Sequence, residues 1–325
     1  MPTSKKPGGV ARGGAASLRV SLTERCELRC RYCRTGRERT PAERYLPSLD
    51  RLAEAVGWVV RRLGVARVKL TGGEPLLRPG VVDFVRRLAS GPGIDEISMT
   101  TNGTRLAALA RELASAGLSR VNVSLDTLDP ARFRELTRGG AVERVVAGID
   151  AALAAGLAPV KLNAVLRRSS YERDVPALLA FAAPRGLEVR FIELMRTGRA
   201  AAFADDEFVS ARAVRGRLSL DGSPETPAFE GGPARRLRVR FGAANVVTGW
   251  IEPVSRAFCG GCRRLRLDPR GRLRRCLMDP EPFELLERLG AGEDAAVEED
   301  VDRFVAGKRA PLSFETPRSM AAIGG

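Results

Sequence analysis

The first two-thirds of the chain alternates short apolar runs with longer segments of helical periodicity. Val, Ile and Leu dominate the short runs, as buried parallel strands require. Six of these runs are predicted to be strands: residues 18–22, 67–71, 96–101, 120–126, 160–166 and 187–194. Five longer segments between them have the apolar spacing of amphipathic helices: residues 49–63, 81–88, 105–114, 142–155 and 175–183. This alternation predicts an α/β fold.

Glycine and polar residues gather where the predicted strands end. The segment GGEP (72–75) follows the second strand, TTNG (100–103) ends the third, and residues 193–195 end the sixth. The active sites of β/α barrels lie at the carboxyl ends of the strands. The pattern therefore favours a partial (β/α)6 TIM-like barrel over the competing fold, a doubly wound open sheet.

The regular pattern stops after Phe203. Residues 221–233 are rich in Pro and Gly and predict a long loop, which a strand at 237–241 and a helix around 282–289 follow. We therefore expect three parts. They are a mobile basic tail (1–16), the barrel (17–214) and a smaller C-terminal α+β domain (215–325).

Composition limits the classes of function. The 325-residue chain has a net charge of +15, which favours polyanionic partners. Aromatic residues make up only 5 %, so no base-stacking platform is expected, and a phosphate-bearing small molecule is favoured over nucleic acid. No stretch reaches the roughly 20 apolar residues of a membrane span, and the N-terminus lacks the apolar core of a secretory signal. We expect no membrane partner and a cytoplasmic location.

Three of the six cysteines lie on one short segment directly after the first predicted strand. Cys26, Cys30 and Cys33, the first cysteine group, form a Cys-x3-Cys-x2-Cys run. Electron-transfer cubanes use four cysteines. Three thiolates on one loop can hold three irons of a [4Fe–4S] cluster and leave the fourth iron open to a further ligand.

The other three cysteines form the second cysteine group: Cys259, Cys262 and Cys276. Buried small side chains or disulfides are the ordinary roles of cysteine, but scattered spacing would suit those roles better than tight grouping. The chain contains no histidine, which excludes a His-containing zinc site. A second iron–sulfur cluster and a structural metal site both remain open for this group.

The first cysteine group, with the aromatic Tyr32 before its last cysteine, resembles the signature of the radical S-adenosylmethionine superfamily. In that superfamily the open iron chelates S-adenosylmethionine, and one electron releases a 5′-deoxyadenosyl radical. From about Ser17 to Gly325, further segments resemble the GTP 3′,8-cyclase family in order: LRVSLTERC, TGGEPLLR, TTNG, RVNVSLD, VKLNAVL, RFIELM, FCGGCRRLRLDPRGRLRRC and a terminal IGG.

This resemblance implies a set of cofactors and contacts. The cofactors are S-adenosyl-L-methionine and two [4Fe–4S] clusters, one on each cysteine group. The residues implied to contact S-adenosylmethionine are Tyr32, Gly73, Ser124 and Met195. The residues implied to contact GTP are Arg19, Lys69, Thr100, Lys161, Arg264, Leu265 and Arg266. Strand-borne cations agree with this assignment, because a triphosphate requires several of them around one cavity. The terminal Gly324 and Gly325 are implied to reach into that cavity.

The resemblance also implies a reaction and partners. The radical abstracts hydrogen from C3′ of GTP, C3′ attacks guanine C8, and reduction gives 3′,8-cyclo-7,8-dihydro-GTP, which begins molybdenum cofactor biosynthesis. The implied partners are an electron donor of the flavodoxin or ferredoxin type and, downstream, cyclic pyranopterin monophosphate synthase. Homodimer formation stays open.

Three departures from the family pattern keep other substrates open. Arg34 and Thr35 stand where the family usually has Met-Pro, Leu28 stands at an often aromatic position, and Lys69 at a common arginine. One alternative is a radical enzyme with an auxiliary cluster that acts on a different nucleotide or a peptide. The other is a nucleic-acid-binding protein with a structural metal.

Overall fold

The computed structural model describes residues 17–33, 43–225, 232–290 and 294–309. The predicted basic tail, the Arg34–Thr35 departure and the terminal glycines lie outside these ranges. Within them the strands are β1 (Ser17–Ser21), β2 (Arg67–Thr71), β3 (Glu96–Thr101), β4 (Arg120–Ser124), β5 (Lys161–Leu166), β6 (Glu188–Glu193), β7 (Ser223–Pro224), β8 (Arg235–Phe241), β9 (Ala244–Ile251), β10 (Arg264–Leu267) and β11 (Leu273–Arg274). The helices are α1 (Leu49–Leu63), α2 (Val81–Ala89), α3 (Leu106–Ser115), α4 (Pro130–Thr137), α5 (Val142–Ala154), α6 (Tyr171–Ala182), α7 (Ala204–Glu207), α8 (Ala211–Arg217), α9 (Leu285–Gly290) and α10 (Asp294–Ala306).

The first six strands lie parallel and in the order of the sequence. A doubly wound sheet would reverse its strand order at a switch point, and β1–β6 show no such reversal. Right-handed crossovers between successive parallel strands place the intervening helices on one face of the sheet. The opposite face is left to line a cavity, and the predicted partial barrel is confirmed.

The C-terminal segment extends this sheet at both edges. Strand β9 pairs in parallel with β6, and β10 pairs in parallel with β1. The predicted strand at 237–241 is confirmed as β8, whereas β9 was not predicted from the sequence. Strands from both predicted domains thus pair in one sheet, although the predicted boundary between residues 214 and 215 falls in helix α8. The division between them stays a prediction.

The core lies between the sheet and its helices. Apolar residues on alternate strand positions, such as Leu18 and Val20, are fully buried in it. Helix α1 begins where the Ser48 side chain accepts a hydrogen bond from the backbone N–H of Arg51 at 3.2 Å, and it ends at Gly64, whose φ of 63° is left-handed. Among the described helices, none has the length and apolar character to cross a membrane.

Candidate active site

The free face of the sheet lines a cavity of about 400 Å³, and all six cysteines contribute to its wall. Each cysteine is half-buried and none forms a disulfide. The two cysteine groups, far apart in sequence, therefore face the same space. Their position in the wall of a cavity also departs from the ordinary role of cysteine as a core residue.

The two groups lie at opposite ends of strand β1. Cys26 follows the carboxyl end of β1, whereas Cys262 precedes β10, and the parallel register pairs Ser17 at the start of β1 with Arg264 at the start of β10. The five residues of β1 span roughly 16 Å at the rise of an extended strand. A ligand in the cavity can therefore reach both groups at once only if it is elongated.

Backbone contacts fix the loop of the first cysteine group. The N–H groups of Arg29 and Arg31 each donate to a carbonyl at the end of α4 at 3.0 Å. On the other side, Gly73 of the GGEP segment approaches so closely that a Cβ atom there would lie 2.2 Å from the carbonyl oxygen of Arg25. Only glycine can stand at this position, because any side chain would displace the cysteine loop.

A buried carboxylate connects this loop to the ends of β2 and β3. Glu74 accepts hydrogen bonds from the Thr101 hydroxyl and from the backbone N–H of Asn102, both at 2.7 Å. The Asn102 side-chain amide in turn donates to Cys26 Sγ at 3.7 Å. Burial raises the pKa of Glu74 to about 7, although these hydrogen bonds favour its ionised form. The GGEP and TTNG segments thus form one support beneath Cys26.

Tyr32 connects the same loop to the ends of β4 and β5. Its hydroxyl donates to Asp126 Oδ2 at 2.6 Å, and Asp126 Oδ1 accepts from the backbone N–H of Val165 at 2.7 Å. Asp126 was not predicted to contact a ligand, although the sequence places it at the carboxyl end of the fourth predicted strand. All four residues predicted to contact S-adenosylmethionine line the cavity: Tyr32, Gly73, Ser124 and Met195.

Three cations stand side by side on neighbouring strands. The register places Arg266 of β10 and Lys69 of β2 on either side of Arg19 of β1. Burial, and then the nearby Arg266, lower the pKa of Arg19 well below its usual value. Burial, and then Arg19, do the same to the pKa of Lys69. Three neighbouring cations repel one another and make the cavity electropositive. A ligand with several negative charges would relieve this repulsion.

Two of the residues predicted to contact GTP lie in other surroundings. The ammonium group of Lys161 lies 2.9 Å from the carboxylate of Glu188, and neither residue is among the described residues that line the cavity. The side chain of Leu265 is only 1 % exposed and packs in the hydrophobic core, so only its backbone is available to a ligand. The other five residues line the cavity: Arg19, Lys69, Thr100, Arg264 and Arg266.

The cavity is also lined by two asparagines, which were not predicted from the sequence to be binding residues. Asn122 Nδ2 and Asn163 Oδ1 are buried and have no hydrogen-bond partner among the described residues. Buried polar atoms are usually satisfied, so this pair marks a place for a polar ligand. Their strand positions alternate with buried apolar residues, and that alternation is the signal that identifies them.

Glu188 holds a network of three cations at the edge of the cavity. Its carboxylate lies 2.9 Å from Lys161, 2.6 Å from Arg190 and 3.3 Å from Arg236. Burial lowers the pKa of Lys161 to about 8, more than the ion pair with Glu188 raises it. The carboxylate is thus the shared counter-charge of this part of the sheet.

We expect the replacement Glu188→Gln to destabilise the protein more than Lys161→Met. The first leaves three cations without their shared counter-charge, and breaking a buried ion pair costs about 3–5 kcal/mol. The second leaves a carboxylate that still binds Arg190 and Arg236. Urea denaturation of both apoproteins, followed by circular dichroism, measures the difference. Equal losses in the free energy of unfolding would contradict this account.

Glu193, at the end of β6, anchors the segment that leads to the second cysteine group. Its carboxylate accepts hydrogen bonds from the backbone N–H groups of Ala211, Val254 and Ser255 at 3.0, 3.1 and 2.9 Å, and from the Ser255 hydroxyl. The side chain is 1 % exposed. One buried carboxylate therefore fixes the start of α8 and the chain just before Cys259.

The replacement Glu193→Ala is expected to lower the free energy of unfolding by about 3 kcal/mol or more, because each buried donor left without an acceptor costs about 1–3 kcal/mol. Urea denaturation of the apoprotein tests this. Glu143→Ala, which removes an exposed carboxylate on α5, is the matched control and should change stability little. A loss no larger than that of the control would show that the four hydrogen bonds do not hold this segment.

The donor sets fit iron–sulfur cubanes better than single metal ions. In the ranges that the structure describes, no three His, Cys, Asp or Glu side chains converge closely enough to hold one ion. In a cubane each cysteine binds a different iron, so its three sulfurs lie further apart. Within the second cysteine group, burial opposes ionisation of Cys262, but Arg264 and Lys308 lower the pKa of its thiol to about 7. Burial raises the pKa of Cys259, and it also raises the pKa of Cys26 and Cys30 in the first group.

Comparison with known proteins agrees with this geometry. The Radical SAM superfamily profile matches residues 20–182, and the Molybdenum Cofactor Synthesis C profile matches residues 187–314. A solved structure of Streptococcus suis SuiB bound to precursor peptide SuiA has a TM-score of 0.58 and 15 % identity. It covers 89 % of this chain and 67 % of that chain, and at this identity it shows the fold alone.

Curated relatives cover most of the chain. GTP 3′,8-cyclase 1 of Pseudomonas aeruginosa is 44 % identical over 82 % of this chain and 81 % of its own length. GTP 3′,8-cyclase of Moorella thermoacetica is 43 % identical over 95 % and 97 %, and that of Paenarthrobacter nicotinovorans is 39 % identical over the full length of both. These matches confirm the predicted family and its cofactors, S-adenosylmethionine and two [4Fe–4S] clusters. The chain therefore belongs to the GTP 3′,8-cyclase family of the radical S-adenosylmethionine superfamily, whose reaction is the first step of molybdenum cofactor biosynthesis.

Proposed function

We propose that this protein converts GTP to 3′,8-cyclo-7,8-dihydro-GTP. The observation that carries the proposal is the row of cations formed by Arg266, Arg19 and Lys69, which lies between the two cysteine groups. A nucleoside triphosphate combines a polyanionic end with a base that can reach a second, distant site. The row of cations suits the polyanionic part of this ligand, and the end of the cavity at the second cysteine group suits the base.

In this proposal the first cysteine group holds the cluster that binds S-adenosylmethionine. A cluster held there would bind S-adenosylmethionine and, with one electron from the donor, would supply the cleavage of that cofactor to methionine and a 5′-deoxyadenosyl radical. Tyr32, Gly73, Ser124 and Met195 position the cofactor, and the Glu74–Asn102 support keeps Cys26 in place. The absence of a side chain at Gly73 lets the GGEP segment pack directly against the backbone of the cysteine loop, and this contact holds the loop beside the cavity.

The substrate occupies the rest of the cavity. Arg19, Lys69 and Arg266 bind the phosphates, because guanidinium groups match phosphate oxygens in pairs and Lys69 adds a point charge. Thr100 and Arg264 complete the proposed contacts in the cavity, and the backbone of Leu265 contributes from β10. Lys161 is not among the described residues that line the cavity, and its proposed contribution is the positive charge that it holds beside Glu188. The second cysteine group holds the cluster that meets the guanine base.

The proposal includes partners. The loop of the first cysteine group carries the exposed Arg29, and its charge complements an acidic one-electron donor of the flavodoxin or ferredoxin type. Cyclic pyranopterin monophosphate synthase consumes the product, and the proposed location is cytoplasmic. Gel filtration of the loaded protein tests whether a homodimer forms.

Anaerobic turnover tests the proposed function. The reconstituted protein is incubated with S-adenosylmethionine, dithionite and GTP, with ATP in parallel. We expect GTP-dependent 5′-deoxyadenosine and the cyclised nucleotide, both measured by mass spectrometry, and little product from ATP. Deoxyadenosine formed without a GTP-derived product would contradict the proposal that GTP is the substrate. The alternatives, another nucleotide or a peptide, would then be tested in the same assay.

A further inference from the structure

The end of helix α10 lies against the second cysteine group. Lys308, two residues beyond the helix, places its ammonium group 3.6 Å from Cys262 Sγ and 2.6 Å from the backbone carbonyl oxygen of Arg264. The side chain is half-buried. One cation therefore touches both a predicted iron ligand and the first residue of β10.

A second contact holds this end of the helix in place. Arg275, the neighbour of Cys276, lies 4.4 Å from the centre of the Phe304 ring of α10 and donates to the carbonyl oxygen of Gly307 at 3.4 Å. The same guanidinium group is held by Asp279 through hydrogen bonds of 2.7 and 2.9 Å. The position of Lys308 is therefore set by a contact network that begins beside another cysteine of the same group.

We infer that Lys308 is a positioning residue that tunes the reduction potential of the second cluster. An N–H···S hydrogen bond and a positive charge beside a cysteine sulfur stabilise the more negative, reduced cluster. Its bond to the Arg264 carbonyl also fixes the strand that carries Arg264 and Arg266 into the cavity. The inference rests on the second [4Fe–4S] cluster of the proposed function.

A potentiometric titration tests the inference. The full chain carries Cys30→Ala so that only the second cluster contributes, and the reduced cluster is followed by electron paramagnetic resonance during stepwise one-electron reduction with dithionite. In this background we expect Lys308→Met to shift the midpoint potential to more negative values. Lys308→Arg, which keeps the charge and a donor, should restore a value close to that of the parent protein.

The matched control is Arg303→Met, which removes a positive charge from the exposed face of the same helix, where Arg303 pairs with Asp300 at 3.0 Å. Its potential should equal that of the parent. An unchanged potential in Lys308→Met, or an equal shift in Arg303→Met, would overturn the inference while leaving the proposed function intact. If the parent with Cys30→Ala binds no second cluster, measured as iron and sulfide content, both fall together.

Discussion

Replacement of Cys262 by Ala is expected to reduce formation of 3′,8-cyclo-7,8-dihydro-GTP to background while leaving the first cluster in place. Cys262 lies two residues before β10, at the opposite end of β1 from the first cysteine group. A cubane left with two thiolates should be lost, and the guanine end of the substrate then loses its proposed partner. Iron content should fall by about half, and the product is measured by mass spectrometry after anaerobic turnover.

Arg270→Ala is the control for this change, because it truncates an exposed side chain in the turn between β10 and β11, in the segment that separates Cys262 from Cys276. It should keep both the iron content and the product. Product formation that survives in Cys262→Ala would show that the second cysteine group is not a substrate site. An unaltered iron content would show that Cys262 is not a ligand.

The replacement Cys30→Ala is expected to abolish cleavage of S-adenosylmethionine altogether. The loop of the first cysteine group is held by backbone hydrogen bonds from Arg29 and Arg31 to the end of α4, and Gly73 packs against its backbone. None of these contacts uses the Cys30 side chain, so the loop should keep its shape. The loss of activity would then report the loss of an iron ligand. The measurement is 5′-deoxyadenosine released with dithionite.

The neighbouring Arg29→Ala is the matched control for Cys30→Ala. The side chain of Arg29 is exposed, and the contact that holds this residue to α4 is made by its backbone N–H, which the replacement keeps. With dithionite as the electron source, the activity of Arg29→Ala should therefore stay close to that of the parent. If Cys30→Ala still releases 5′-deoxyadenosine at the parental rate, the first cysteine group does not bind the cluster as proposed.

The six strands of the barrel could be predicted from the sequence because their buried face and their carboxyl ends each leave a clear pattern. Buried residues such as Val121 and Val123 mark the side against the helices, and Gly or polar residues mark the carboxyl ends. Strand β9 was missed because its sequence, ANVVTGWI, mixes Asn, Thr and Gly with apolar residues. Its place in the sheet depends on pairing with β6, which no local pattern reports.

The cysteines of the site could be predicted from the sequence, whereas the buried carboxylates that hold the surrounding chain in place could not. The cysteine spacing is local in sequence, so both groups could be recognised from it. The support that Glu193 gives depends on donors from residues 211, 254 and 255, which only the fold brings together. The counter-charge of Lys161 likewise comes from Glu188 on the adjacent strand, and a sequence pattern cannot distinguish a paired cation from one that faces a ligand.

The pairing of β1 with β10 also sets an order of assembly. Strand β1 is among the first described parts of the chain to be synthesised, and its outer edge receives β10 only after residue 267 has been made. Until then the edge presents unpaired N–H and C=O groups, which invite association with other chains. The first cysteine group is complete early in synthesis, whereas the second needs Cys276. A nascent or truncated chain that ends before Cys276 therefore carries all the cysteines of the first group and an incomplete second group.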